Sequence, residues 1–426
     1  MNERPDSAPS SPVSAPSETP LTMVTAQAIR EAYETHLRPF VRHTPLFTSA
    51  SIARKAACDD LYLKMENLQR TGSFKIRGAT CRIAQMTESE RAHGVITASA
   101  GNHAQGVALA ARNFGVGATV YMPQTGSIAK IQATENYGAT VVLEGANFDE
   151  AVAAAKAKSA ETGAIFISAY DDDAIITGQG SLGVELLEDL PDVDTLLIPI
   201  GGGGLFSGVA TVVKAARPSC RIIGVQAEGA DGAAQSFRAG HLLPRKAPIA
   251  TIADGIAIKS PSPRTFAYIQ RYADDVVTVT DESMAQAILL LMTRAKVVVE
   301  PSGAAGLAAL IEHPGLSVGK TAVILCGGNI DVKLLADLIE RGMIRSHRYF
   351  HFFTAVSDKP GGLAKLLEAV ASQGGNVMEV THNRISSGVA YGMTGVEMLI
   401  EVRNEAHIAA MEASLTEFGY PVRRLE

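Results

Sequence analysis

Leu196-Leu197-Ile198-Pro199-Ile200-Gly201-Gly202-Gly203-Gly204-Leu205 is an apolar run that stops at four glycines and resumes as a helical pattern. Five apolar residues in succession suit a strand buried on both faces, as in a parallel sheet covered by helices. Glycine loses more conformational freedom on folding than other residues, so four at a strand end need a physical reason. A backbone closing around a phosphate at a helix N-terminus supplies one; a merely flexible turn is the plainer alternative. The run lacks the Gly-Lys-Ser/Thr ending of a P-loop and the G-x-G-x-x-G spacing, which puts nucleotides second.

Outward from this unit the same alternation repeats. Leu61–Met65, Gly94–Ala98, Thr119–Met122, Thr140–Leu143 and Ala164–Ser168 read as strands, with helices over Asn102–Asn113, Ser127–Tyr137 and Phe148–Glu161. Arg221–Gln226, Val276–Val279 and Thr321–Leu325 continue the series beyond Leu196–Ile200, and Ala26–His36 and Thr44–Thr48 precede it as helix and extended segment. Strand and helix in alternation predict parallel sheets in two α/β subdomains, with ligands at the carboxyl ends of the strands. The smaller subdomain is expected over about residues 65–170, within a catalytic unit spanning 23–343. Residues 1–22, rich in Ser and Pro and without an apolar core, read as a disordered leader and not a secretory signal.

After Met343 the pattern changes to strand (Tyr349–Val356), helix (Leu363–Ser372), strand (Asn376–Arg384), strand (Gly392–Val402), helix (Glu405–Phe418) and a last strand (Pro421–Leu425). This βαββαβ order over 344–426 predicts a ferredoxin-like domain.

Composition narrows the function classes. With 46% hydrophobic and 19% charged residues the chain is globular, and a net charge of -6 gives no reason to expect nucleic acid or an anionic membrane as partner. No apolar run reaches the roughly 18 residues that a membrane helix needs. Cys58, Cys81, Cys220 and Cys326 are scattered without a CxxC pair, which speaks against a zinc site or a disulfide framework and fits the cytoplasm.

Three further stretches carry chemistry. In Thr71-Gly72-Ser73-Phe74-Lys75-Ile76-Arg77-Gly78-Ala79, aromatic and β-branched neighbours should desolvate Lys75, lowering its pKa and making it a nucleophile toward carbonyls. A lysine that merely opens a helix fits the same local pattern. Ser99-Ala100-Gly101-Asn102-His103-Ala104-Gln105-Gly106 joins a strand to a helix, so its N–H groups can seat an anion such as a carboxylate, or Ser and Asn can simply cap the helix. Leu325-Cys326-Gly327-Gly328-Asn329 presents a thiol at a strand end, either as a weak partner for a heterocycle or as a structural cysteine.

Together with Gly178-Gln179-Gly180 and Glu300-Pro301-Ser302-Gly303-Ala304, these motifs resemble, in order, those of the threonine and serine dehydratases. These are fold-type II pyridoxal-phosphate enzymes, a tryptophan synthase β-like fold shared with serine racemase and cysteine synthase. The resemblance covers about Thr25 to Met343 and implies pyridoxal 5'-phosphate as cofactor. It makes Lys75 the Schiff-base lysine and sole catalytic residue, beside Phe74. Asn102 becomes the partner of the phenolic oxygen, Gly201, Gly202, Gly203 and Gly204 the phosphate cup, and Cys326 the neutral partner of the pyridine nitrogen, with Glu300 in the same cofactor set. Ser99, Ala100, Gly101, Asn102 and His103 would hold the substrate carboxylate.

The implied reaction is β-elimination from L-threonine to 2-oxobutanoate and ammonia, a first committed step toward isoleucine, with serine as a possible second substrate. Related racemases carry serine where this chain has Ala100, so the proton donor on the face opposite the lysine is missing. A serine-preferring dehydratase and a racemase are the enzymatic alternatives, and a non-catalytic amino-acid sensor is the alternative of another class. A divalent-cation site near Glu228 is not expected, because Gly232 and Ala234 stand where relatives place ligands.

Asp358-Lys359-Pro360-Gly361-Gly362-Leu363 resembles the D-x-P-G-x-L turn of ACT regulatory domains. It implies an amino-acid effector near Asp358, Pro360, Gly361 and Leu363, faced by Gly375 and Asn376 of a neighbouring module. A plain oligomerisation domain is the alternative. A single copy of the module suggests a homotetramer or homodimer.

Overall fold

The computed structural model describes residues 22–244, 247–383 and 389–425. The leader expected up to residue 22 lies, through Leu21, outside the described residues, as does Arg384 at the expected end of a strand. Strands are β1 (Leu46–Thr48), β2 (Asp60–Lys64), β3 (Val95–Ala98), β4 (Ala118–Met122), β5 (Thr140–Leu143), β6 (Ile165–Phe166), β7 (Thr195–Pro199), β8 (Arg221–Ala227), β9 (Asp275–Val279) and β10 (Lys320–Ile324). Four more follow in the C-terminal module: β11 (Tyr349–Ser357), β12 (Asn376–Asn383), β13 (Met393–Glu401) and β14 (Arg423–Arg424).

Two parallel-sheet units make up the α/β part. The smaller is a four-stranded sheet in the order β5-β4-β3-β6, parallel throughout. The larger has six strands in the order β1-β2-β10-β7-β8-β9. Its central strands are buried on both faces because alternate residues serve different cores. Leu197, Ile223, Val225 and Val323 join one apolar cluster, while Leu196, Ile198, Ile222 and Ile324 join another.

One strand departs from the expected parallel order. β1 runs antiparallel to β2, with Leu46 opposite Lys64. The connection between them is short, holding only the helix Ala50–Lys55, and an edge strand following Pro45 needs pairing on one side alone.

The decisive topological fact is that β10 lies between β2 and β7. Strands far apart in sequence thereby end side by side, and the turns after β7 and β10 open into one crevice, as expected where strand order reverses. The C-terminal module is an antiparallel sheet in the order β12-β13-β11-β14, with helices Gly362–Ser372 and Glu405–Glu417. Phe350, Phe352 and Val356 alternate inward along β11 into a core that includes Leu366, Val370 and Met411. No helix of the described residues is long and apolar enough to cross a membrane.

Candidate active site

The turns after β3, β7 and β10 enclose a cavity of about 800 Å³. Lys75, Phe74, Ser99, Ala100, Gly101, Asn102, His103, Gly201, Gly202, Gly203, Gly204, Glu300 and Cys326 all line it. Every residue expected at the catalytic, cofactor and carboxylate positions is thus brought to one place.

Lys75 opens the helix Lys75–Ala84, and the backbone before it is unusual. Thr71 and Gly72 both adopt left-handed conformations, at φ 64° and 72°. For threonine this is uncommon and requires support from its surroundings. Part of that support is the neighbouring strand end: Phe74 N–H donates to Cys326 O (3.2 Å), and Gly328 N–H donates to Gly72 O (2.9 Å). Lys75 Nζ donates to Ala169 O at 3.0 Å and lies 5.1 Å from the Phe74 ring centroid. Burial of the charged end lowers its pKa to about 8, although Cys326 and Glu300 pull the other way.

The glycine run is demanded by its neighbours. Gly203 has φ +92° and precedes the helix Gly204–Ala216, so a side chain there would be strained as well as pressed against Thr265. At Gly202 a Cβ would overlap the ring of Tyr170. The backbone therefore lies between Tyr170 and the helix start, and the first N–H groups of the helix, which lack intrahelical partners, border the cavity.

The helix Asn102–Asn113 presents a second N-terminus. Gly101 N–H donates to Ser99 Oγ at 3.2 Å, which folds the turn back on itself. The His103 ring contacts Ile167 O through Nε2 at 3.1 Å, and its Nδ1 is buried without a partner. Burial, and secondarily Lys75, depress its pKa to about 3, so the ring is neutral. It therefore donates from Nε2 and leaves Nδ1 as an acceptor. Glu300 accepts from Asn102 Nδ2 at 2.7 Å, and burial raises its carboxyl to about 7. Cys326 Sγ donates to Ser302 O at 3.4 Å, and burial keeps it a thiol.

Several residues at or beneath the site were given no role by the sequence. Tyr170, Ser302 and Asn329 line the cavity, and the buried Ser302 hydroxyl has no partner. Lys130–Asp254 and Lys259–Asp149, both 2.8 Å, pair residues around its rim. Two residues past Lys75, Arg77 is completely buried between two carboxylates. Its Nε and NH2 donate to Glu66 at 2.7 Å, while NH1 and NH2 donate to Glu185 at 2.7 and 2.8 Å. Short paired bonds of this kind are the strong, geometry-fixing sort. A motif spacing could not announce them, because Glu66 and Glu185 lie 11 and 108 positions away.

The expected effector residues sit apart from this cavity. Gly361, at φ +89°, precedes the helix Gly362–Ser372, and Asn376 Nδ2 donates to Glu401 Oε2 at 3.2 Å. None of Asp358, Pro360, Gly361, Leu363, Gly375 and Asn376 lines either the main cavity or a second one, of about 430 Å³, between the helix Val332–Arg345 and the C-terminal sheet.

Comparison with known proteins agrees with this geometry. Residues 37–327 match the model of the family described as pyridoxal-phosphate dependent enzyme. An L-threonine ammonia-lyase of Thermotoga maritima is 45% identical over 401 residues, covering 94% of this chain and 99% of that protein. Among solved structures, the processed form of threonine deaminase isoform 2 from Solanum lycopersicum superposes with a TM-score of 0.71 at 33% identity, over 78% of this chain and 94% of its own. Maize serine racemase superposes at 0.70 with 35% identity, over 76% and 100%.

Proposed function

The chain belongs to the pyridoxal-phosphate-dependent enzyme family, and we propose that it converts L-threonine to 2-oxobutanoate and ammonia by β-elimination. The observation that carries the proposal is the convergence of Lys75, Asn102 and the Gly201–Gly204 turn on one cavity, in a chain 45% identical to an L-threonine ammonia-lyase.

The residues present fit the cofactor. An anionic phosphate suits the helix N-terminus at Gly201–Gly204, where Tyr170 and the left-handed Gly203 hold the backbone. Lys75 offers an amine with lowered pKa for the carbonyl carbon. Asn102 offers an N–H for the phenolic oxygen, and the Cys326 thiol, neutral in its buried setting, stands for the ring nitrogen. The orphaned hydroxyl of Ser302 is a further polar group in the same wall. When bound, the cofactor supplies the electron sink for the pair left behind as the α-proton departs.

The chain's own residues do the rest. N–H groups of the Ser99–His103 turn orient the substrate carboxylate, fixing which α-bond faces Lys75. Lys75, as a neutral amine, takes the α-proton at Nζ, for which a pKa of about 8 is well placed. The uncharged His103 keeps a second cation away from that amine. Loss of the β-hydroxyl then yields an enamine, whose hydrolysis releases ammonia and the 2-oxo acid.

A second reading, racemisation, is favoured by the likeness to maize serine racemase. Against it, Ala100 offers no proton where racemases have serine. L-Serine is a substrate by the same chemistry, giving pyruvate. Residues 23–343 form the catalytic unit and 344–426 an ACT-like regulatory domain that senses a small amino acid near Asp358, Pro360, Gly361, Leu363, Gly375 and Asn376 in a homotetramer or homodimer. Isoleucine is the effector expected for a biosynthetic enzyme. The test is a steady-state assay of 2-oxo acid and D-isomer formation from L-threonine and L-serine, with and without isoleucine. D-isomer in place of oxo acid would overturn the elimination reading.

A further inference from the structure

Asn329 ends the β10 turn and touches two of the segments that build the site. Its Nδ2 donates to Thr71 O at 2.7 Å and to Asn102 Oδ1 at 2.6 Å. A backbone carbonyl can only accept, so Thr71 O dictates which end of the Asn329 amide faces it. The NH2 group so placed can only donate, and Asn102 must then present its carbonyl. That leaves the Asn102 NH2 group turned to Glu300 Oε1 at 2.7 Å, with one N–H uncommitted at the cavity.

Each amide orientation therefore follows from the one before it, starting at a backbone carbonyl two residues ahead of Ser73. The same carbonyl belongs to Thr71, the non-glycine residue in a left-handed conformation immediately before the lysine turn. Gly72 is tied in as well, since a Cβ there would lie 2.6 Å from Asn329 Oδ1. From this geometry we infer that Asn329 is a positioning residue: it sets the amide orientation of Asn102 and holds the Thr71–Gly72 turn, so that one side chain aligns the Lys75 and Asn102 arms of the site.

The inference rests on the cofactor reading, in which the free N–H of Asn102 serves the cofactor's phenolic oxygen. Replacement Asn329→Asp reverses the relay. A carboxylate cannot donate to Thr71 O or to Asn102 Oδ1, so the Asn102 amide turns its NH2 toward Asp and its carbonyl toward the cavity. An acceptor there repels an anionic oxygen where a donor stabilised it.

The test compares the visible spectrum of the bound cofactor, and its dependence on pH, in the wild-type holoenzyme, Asn329→Asp, Asn102→Ala and the double variant. Cofactor stoichiometry and thermal midpoint are measured alongside. The expected result is an altered spectrum and pH dependence in Asn329→Asp at retained stoichiometry, with kcat lowered about tenfold for the lost hydrogen bond and KM changed far less. In the Asn102→Ala background the same replacement should add only the smaller change that comes through the Thr71–Gly72 turn, well short of its effect in the wild type. Wild-type spectrum and pH dependence in Asn329→Asp, or spectral effects that simply add in the double variant, would overturn the inference. Should Asn329→Asp fail to fold, Asn329→Ser replaces it: the hydroxyl keeps one donor of shorter reach, and an unchanged spectrum counts against the relay in the same way. Failure of the wild-type protein to show any cofactor absorbance would instead overturn the reading of the site, and is seen before any variant is made.

Discussion

The amine of Lys75 should titrate more than two units below an ordinary lysine, and that can be measured directly. Its pKa is lowered from 10.5 to about 8 because the charged form is poorly solvated in the cavity wall. At pH 8 about half of the amine is then neutral, against roughly 0.3% for an unperturbed lysine, a gain of roughly 150-fold in the nucleophilic form. The perturbation is pH itself, applied to protein stripped of cofactor and exposed briefly to pyridoxal, with borohydride trapping and peptide mass spectrometry locating the adduct. Labelling at Lys75 should rise with pH to a midpoint near 8, while surface lysines rise toward 10. Glu300 and Cys326 both raise the Lys75 pKa, so Glu300→Gln should move the midpoint lower still. The sign also has a stability consequence. The unfolded chain binds this proton more tightly than the folded one, so the contribution of Lys75 to stability climbs with pH between about 8 and 10.5. A midpoint at or above 10, or trapping on another lysine in preference, would show that the cavity does not depress the Lys75 pKa.

Gly202→Ala should weaken cofactor binding at least about tenfold in a fluorescence titration, since its methyl group meets the Tyr170 ring; the double variant with Tyr170→Ala should recover part of the loss. Arg77→Met removes the cation between Glu66 and Glu185 and should cost about 3–5 kcal/mol in urea unfolding of the α/β part, with a smaller deficit in acid, where the stranded carboxylates take up protons. The sign follows from Glu185. Burial pushes its carboxyl up but Arg77, joined by Lys64 and His43, more than reverses this, so the wild type loses that contribution as pH falls through the depressed pKa and the variant, without the Arg77 share, has less to lose. Deleting residues 344–426 should abolish any response to isoleucine in the threonine assay while turnover in its absence persists.

The α/β order, and the segments that meet at the cavity, were legible because each is a contiguous stretch of sequence. Leu196–Ile200 followed by four glycines spells strand, turn and helix start, and the helix Asn102–Asn113 appears with the bounds its apolar spacing indicates. What could not be read depends on who ends up beside whom. The glycines were expected to make room for a ligand, but Gly202 is required by Tyr170, which comes from a segment 32 positions earlier. Arg77 stands inside the lysine motif, yet a charged residue is ordinarily a surface residue. Only the fold reveals Glu66 and Glu185 around it. Asn329 was visible merely as the end of a glycine turn, because its partners Thr71 and Asn102 reach it through the placement of β10 next to β2. The antiparallel β1 was missed for a related reason: strand alternation specifies elements, not the direction of an edge pairing.

Lys75 is proposed to carry β-elimination of threonine in this cavity. The direct test is 2-oxobutanoate and ammonia release from L-threonine by the cofactor-loaded protein, run beside Lys75→Ala. Equimolar release of both products by the wild type, with turnover lost and the visible cofactor absorbance altered in the variant, is the expected result. Undiminished turnover in Lys75→Ala would contradict it.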